Sequence, residues 1–143
     1  MVTEMTIKEK FVVDCVGKVP PCAITGFTME INVHLKTTEI ELVFDHFGAP
    51  KINWLQRMLG YRLKDLGNGV LVDKKTFCVH SIRFTVPHDR CYTEIDSSLK
   101  QHAKMLSRNI YISVENGIDT SGVIMDHKDK IVETAMKYIR RYW

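Results

Sequence analysis

The chain reads as an α+β protein. The sequence predicts one globular domain over residues 1 to 143, built on antiparallel β-sheets in a sandwich-like arrangement, with about three helices including a C-terminal one. Three observations lead there. Between residues 27 and 36, Phe27, Met29, Ile31, Val33 and Leu35 alternate with Thr28, Glu30, Asn32, His34 and Lys36, the period of a strand with one buried and one wet face. Half-exposed strands belong to antiparallel sheets, because parallel strands are covered on both sides. Strands run in succession with helices interspersed rather than in strict βαβ alternation, and helical periodicity is clear at the C-terminus.

Residues 8 to 16 alternate weakly and read as a strand stopped by Gly17, after which Pro20 and Pro21 impose an extended turn. The strand over 27 to 36 follows, and then one over 39 to 44, with Ile40, Leu42 and Phe44 in alternation. Gly48, Ala49 and Pro50 break the chain before a helix over 50 to 66, with Pro50 suited to its first turn. That helix carries two apolar stripes where a surface helix needs one. Ile52, Leu55, Leu59, Leu63 and Leu66 share one face; Trp54, Met58 and Tyr61 form a second edge beside Lys51, Arg57, Arg62 and Lys64. Gly67, Asn68 and Gly69 end it as a left-handed cap and turn. Residues 70 to 73, a Lys74-Lys75 tip and residues 76 to 86 form a hairpin, with Cys78, His80, Ile82, Phe84 and Val86 on one side of its second strand. Asp96 or Ser97 caps a short helix containing Leu99, Ala103 and Leu106. Residues 110 to 114, an Asn116-Gly117 turn and residues 118 to 125 read as a second hairpin. From residue 128, Ile131, Val132, Ala135, Met136, Ile139, Tyr142 and Trp143 line one arc of a helix, and Lys130, Glu133, Lys137, Arg140 and Arg141 line the other.

With 143 residues, 45% of them hydrophobic, the chain can bury a core unaided. The net charge of +3 is unevenly spread: residues 1 to 71 hold 8 basic and 8 acidic side chains, residues 72 to 143 hold 12 and 9. A local basic patch is therefore expected, suited to phosphate-bearing partners, rather than a dedicated charge-driven nucleic-acid binder. The four cysteines, Cys15, Cys22, Cys78 and Cys91, stand at irregular spacing and read as free thiols of a reducing compartment. The first ten residues carry charges where a signal peptide needs an apolar run, and no run approaches a membrane span, so any membrane contact is expected to be peripheral and from the cytosolic side.

Catalytic signatures are scarce. Asp119-Thr120-Ser121-Gly122 departs from the Asp-Thr-Gly loop of aspartic proteases by an interrupting Ser, and the phosphate-binding glycine loops, the G-x-S-x-G elbow and the H-E-x-x-H helix are all missing. Cys78, His80, His88 and Cys91 have residue types that suit tetrahedral zinc but no C-x2-C spacing, so no metal and no cofactor are assigned, and Cys78 reads as core with His80 at its edge. The expectation is a binding protein and not an enzyme. Its candidate phosphate or membrane contacts are Arg57 and Lys64 on the predicted first helix, Lys74 and Lys75 at the hairpin tip, and Lys137, Arg140 and Arg141 near the C-terminus, where Tyr138, Tyr142 and Trp143 add interfacial aromatics. Trp54, Met58 and Tyr61 are the candidate self-association stripe.

In length, in its opening strands FTMEINVHL and TEIELVFDHF, in its free cysteines and in a basic bias without catalytic signature, the chain resembles the small matrix proteins of non-segmented negative-strand RNA viruses, of the bornavirus and nyavirus kind. The resemblance implies a structural protein that forms tetramers and lattices beneath the viral envelope, contacts anionic lipid through basic patches, can bind RNA, and links envelope to nucleocapsid. Its partners would be further copies of itself, anionic membrane lipids, and RNA or nucleoprotein; its place would be the cytosolic face of membranes and the virion. Two alternatives stay open: an RNA-binding module using the same basic and aromatic surface, and a small Cys/His metal-binding protein or enzyme built on the Cys78 cluster.

Overall fold

The computed structural model describes residues 5–14, 23–47, 63–108 and 112–141. Six strands form one antiparallel sheet in the order β1-β2-β3-β6-β5-β4: β1 (Met5–Val12), β2 (Ile24–Val33), β3 (Thr37–His46), β4 (Leu63–Asp65), β5 (Val70–Asp73) and β6 (Val79–Pro87). A 3-10 turn at His88–Arg90 leads into α1 (Cys91–Ser107), followed by α2 (Val114–Asp126) and α3 (Lys128–Arg141). The α+β class, the antiparallel pairing, the number of helices among the described residues and the C-terminal position of the last agree with the sequence, although the predicted helix over 50 to 66 lies for the most part outside the described residues and α2 stands where a hairpin was expected. The expected sandwich takes the form of a single sheet with the helices as its second layer.

The alternation in β2 does what its period dictates. Phe27, Met29, Ile31 and Val33 are fully buried, and their in-register partners Phe44, Leu42, Ile40 and Thr38 on β3 share their face. Through β3 that face continues to Ile82, Phe84 and Val86 of β6, and on the other side to Phe11 of β1. Phe11 stacks on Phe27 with ring centroids 4.7 Å apart, while His127, between α2 and α3, meets Phe27 edge-on at 5.4 Å. The helices close the layer with Ile95, Leu99 and Leu106 of α1, Ile124 of α2, and Ile131, Ala135 and Ile139 of α3.

The opposite face carries a charged row. Lys8, Glu30, Glu41 and Arg83 are consecutive cross-strand neighbours. Arg83 donates to Glu41 Oε2 from Nη2 at 2.8 Å and from Nε at 3.1 Å, with Glu39 3.4 Å from Nε. Partial burial works against the Arg83 charge, but Glu41, Glu39 and Glu30 together outweigh it and hold its pKa above the ordinary value.

Four elements depart from the sequence reading. Residues 63 to 66 do not continue a helix: Leu63–Asp65 pairs with β5, and the Gly67-Asn68-Gly69 stretch joins two strands. Those three residues do adopt positive φ, at 89°, 54° and 79°, and the Asp65 carboxylate accepts from Gly67 N at 2.8 Å, an Asx-type turn that outcompetes a helix end. Helix α1 begins at Cys91, five residues before the expected cap, because Cys91 and Ile95 both have core to cover. The predicted second hairpin is helix α2. Ser113 caps it by accepting from Asn116 N at 3.3 Å, and both halves of the presumed Asn-Gly turn are buried inside it. Gly117 is there for contact: a Cβ on it would stand 2.2 Å from the Leu106 carbonyl oxygen of α1. Finally, the alternation predicted for β6 is shifted by a bulge. Leu71 lies opposite Ser81 and Val72 opposite Val79, so His80 is the extra residue and Val79 takes the buried place.

Candidate functional site

Helix α3 concentrates charge. Its sequence KDKIVETAMKYIRR holds five bases and two acids. Ile131, Val132, Ala135, Met136 and Ile139 bury one side, so the cations are forced onto the other, and Lys130, Lys137, Arg140 and Arg141 are all exposed. The fifth, Lys128, is committed to structure. It donates to Asp96 of α1 at 2.6 Å, and Lys100 donates to the same carboxylate from 2.9 Å. The hydrogen bonds from Lys128 and then Lys100 hold the Asp96 pKa below its usual value, and Asp96 in turn raises that of Lys128. Arg140 and Arg141 occupy the last turn, where cations also complement the helix dipole.

Between α3 and the outer strand β1 runs an open groove of about 530 Å³. Glu9, Lys10, Phe11, Lys130, Lys137 and Tyr138 are among the residues that line it. Tyr138 fixes the groove: its hydroxyl donates to Glu9, which raises the phenol pKa above its ordinary value, and its ring is flanked by Lys137 Nζ at 5.4 Å and the Arg141 guanidinium at 5.3 Å. Lys130 lies 5.7 Å over the Phe11 ring. Cation and aromatic are thus held together at several points along one helix, an arrangement that keeps amines near apolar surface without neutralising them. Lys137 also borders a second groove with Tyr92, Met136 and Arg140.

The structure sorts the residues singled out in the sequence. Lys137, Arg140 and Arg141 come together on α3 with Lys130, which the helical periodicity puts on the same arc, and Lys10 joins them from β1, a segment that sequence reading did not connect. Lys64 lies in β4 at the sheet edge opposite β1, and Lys74 and Lys75 are exposed on the β5–β6 turn, whose contact with the helices includes Asn116 of α2. At about 4.8 Å per strand, β5 lies about 19 Å from β1, so these lysines form a separate locus. Arg57, Trp54, Met58 and Tyr61 lie outside the described residues, as do Tyr142 and Trp143.

The Cys/His quartet does not assemble. His88 Nε2 sits 2.8 Å from Thr38 Oγ1, Cys91 Sγ faces Met136 Sδ at 3.2 Å, Cys78 Sγ turns toward the Thr76 carbonyl, and the bulge takes His80 off the face expected of it. Among the described residues no three His, Cys, Asp or Glu side chains converge as metal ligands. Asp119-Thr120-Ser121-Gly122 lies within helix α2, with Thr120 donating to Asn116 O and Ser121 accepting from Ser107, a packing role. No helix among the described residues is long and apolar enough to cross a membrane. No family model, curated protein or solved structure matches the chain.

Proposed function

We propose that this chain is a matrix-type structural protein of a virus, one that self-associates and binds anionic membrane peripherally, linking envelope to nucleocapsid. The observation that carries the reading is the exposed row Lys130, Lys137, Arg140 and Arg141 on α3, interleaved with Tyr138 and open to the β1 groove. Each cation near an anionic leaflet contributes about 1 kcal/mol, so four contribute about 4 kcal/mol, a millimolar affinity for one copy. A monomer binds weakly and reversibly. Linked copies bind firmly, because each contact after the first is intramolecular; self-association and lipid binding therefore belong to one function.

The test is co-sedimentation with vesicles of graded phosphatidylserine content at low and at physiological salt. Binding should rise with anionic lipid, fall with salt, and be lost in the triple variant Lys137→Glu, Arg140→Glu, Arg141→Glu while Lys74→Glu with Lys75→Glu retains it. Equal binding by wild type and the α3 variant would overturn the assignment to α3. Salt-dependent capture of single-stranded RNA with no vesicle binding would replace the reading with an RNA-binding module.

A further inference from the structure

The sheet ends in two unlike edges. Among the described residues, β4 closes one with three residues and β1 closes the other with eight, Met5–Val12. A strand of that length at an edge presents a row of main-chain N–H and C=O groups able to pair with another strand. The register fixes which residues carry them. In an antiparallel pair, residues that exchange main-chain hydrogen bonds alternate with residues that do not. Val13, two residues past Phe11 and so in the same phase, donates from its N to Thr25 O at 3.0 Å, so the odd residues of β1 turn their main chain to β2. Thr6, Lys8 and Lys10 turn theirs outward. The side-chain bond from Thr6 Oγ1 to Asn32 Oδ1, 2.6 Å across the strands, fits that phase, because the pairs without main-chain bonds bring their side chains closer.

This edge borders the groove already described. Glu9 to Val12 of β1 line it from one side, and Lys130, Thr134, Lys137 and Tyr138 of α3 from the other. An extended segment laid along β1 would have the main chain of an edge strand beside it and a helix flanking one of its faces, an arrangement suited to peptide uptake by strand addition.

Charge selects the segment. Lys10, Lys130 and Lys137 line the groove, and Glu9, the one acid among the described residues that do, already accepts from the Tyr138 hydroxyl. Lys8 and Lys10 belong to the wet face of the sheet and α3 covers the other, so bases border both faces of an added strand. A second β1 edge is a poor occupant, because it brings its own Lys8 and Lys10. The chain's acid-bearing strand β3 lies inside the sheet, paired on both sides. The complementary occupant is an acidic segment from another protein.

We propose that the β1 edge and α3 form a strand-addition site for an acidic, extended peptide segment of a partner protein. The outward main chain of Thr6, Lys8 and Lys10 supplies affinity for an extended chain, and the lysines around it select an acidic one. The inference goes beyond membrane contact, which needs cations but no strand edge.

Fluorescence anisotropy tests it, with a labelled eight-residue peptide of alternating glutamate and valine titrated with the intact chain in the absence of lipid. The comparison is the same peptide N-methylated at its four central residues, which keeps the charge and removes main-chain donors. Wild type should bind the plain peptide and hold the N-methylated one about tenfold more weakly. Lys130→Glu with Lys137→Glu should weaken the plain peptide by a similar factor, and since both side chains are exposed the variant should melt as wild type does. In amide NMR spectra the peptide should shift Thr6, Lys8 and Lys10 more than the residues of β4. No binding, or equal affinity for the two peptides, would overturn the proposal, the second by showing that charge alone holds the ligand. Binding of single-stranded RNA but not of peptide would also overturn it and hand the groove to nucleic acid. Vesicles play no part in this readout, so the lipid reading can fail while this one stands.

Discussion

Two glycines on the same helix should respond to alanine with opposite sign. In an exposed helix, Gly→Ala gains up to about 1 kcal/mol from backbone entropy. At Gly122 that is the whole account, because nothing stands within 4 Å of the added carbon and φ is ordinary. At Gly117 the added carbon would lie 2.2 Å from the Leu106 carbonyl oxygen and 3.2 Å from Ile112 Cδ1, where ordinary contact begins near 3.4 Å. The obstacle at 2.2 Å is backbone of the last turn of α1, so α1 and α2 must part by more than an ångström. Overpacking of this kind costs about 1–3 kcal/mol. With a rigid obstacle the upper part of that range applies, and after the propensity gain Gly117→Ala should lose about 2 kcal/mol. Urea slopes for small proteins run at about 1–3 kcal/mol per molar, so the midpoint should fall by about 1 M for Gly117→Ala and rise by a few tenths of a molar for Gly122→Ala. Far-ultraviolet circular dichroism through a urea series, at protein concentrations low enough to keep the chain monomeric, reads both. A Gly117→Ala midpoint equal to or above wild type would refute the reasoning that α1 and α2 touch through this glycine.

The turn between β4 and β5 offers a matching pair: Gly67 and Gly69 both have positive φ, but only a Cβ at Gly69 would strike backbone, 2.1 Å from Arg83 O, so Gly69→Ala should lower the melting temperature far more than Gly67→Ala. For pH, Asp96 has a native pKa held down by Lys128 and Lys100. Its contribution to stability is complete above the unfolded value of about 3.9 and is lost as pH falls through the native one. Asp96→Asn should therefore be less stable than wild type at neutral pH and flatten the loss of melting temperature below about pH 4; an unchanged acid profile would mean that the α1–α3 clamp does not hold in solution.

Where one face of an element is buried and the other wet, the sequence was readable. The alternation from Phe27 to Val33, its continuation in Ile40, Leu42 and Phe44, and the arc from Ile131 to Ile139 all report a boundary between core and water that each segment carries in itself. Misreadings arose where a distant neighbour decides. Asn116-Gly117 looks like a hairpin turn until α1 arrives at Gly117, and Leu63 fits a helical stripe until β5 pairs with it. The bulge at His80 likewise exists through its partner strand. The site divides in the same way. Lys137, Arg140 and Arg141 share a helix and could be grouped by periodicity, whereas Lys10 and Phe11 reach the groove that Lys137 lines from the far end of the chain, and Glu9 meets Tyr138 there across 129 positions.

The strand order β1-β2-β3-β6-β5-β4 has a kinetic consequence. The sheet is two three-stranded meanders, each made of neighbouring segments, welded along the β3–β6 seam. Seam partners such as Val43 and Ser81 or Thr37 and Pro87 are 38 and 50 residues apart, so closing it is the entropically slow step, while each meander can zip locally. During synthesis β3 therefore emerges well before β6, and its edge, bearing Ile40 and Leu42, stays unsatisfied for that interval. A β6 strand from a neighbouring chain can fill it as well as the chain's own. Crowded nascent copies are thus exposed to strand exchange at the seam, and dilution or slower synthesis should raise the yield of correctly closed sheet.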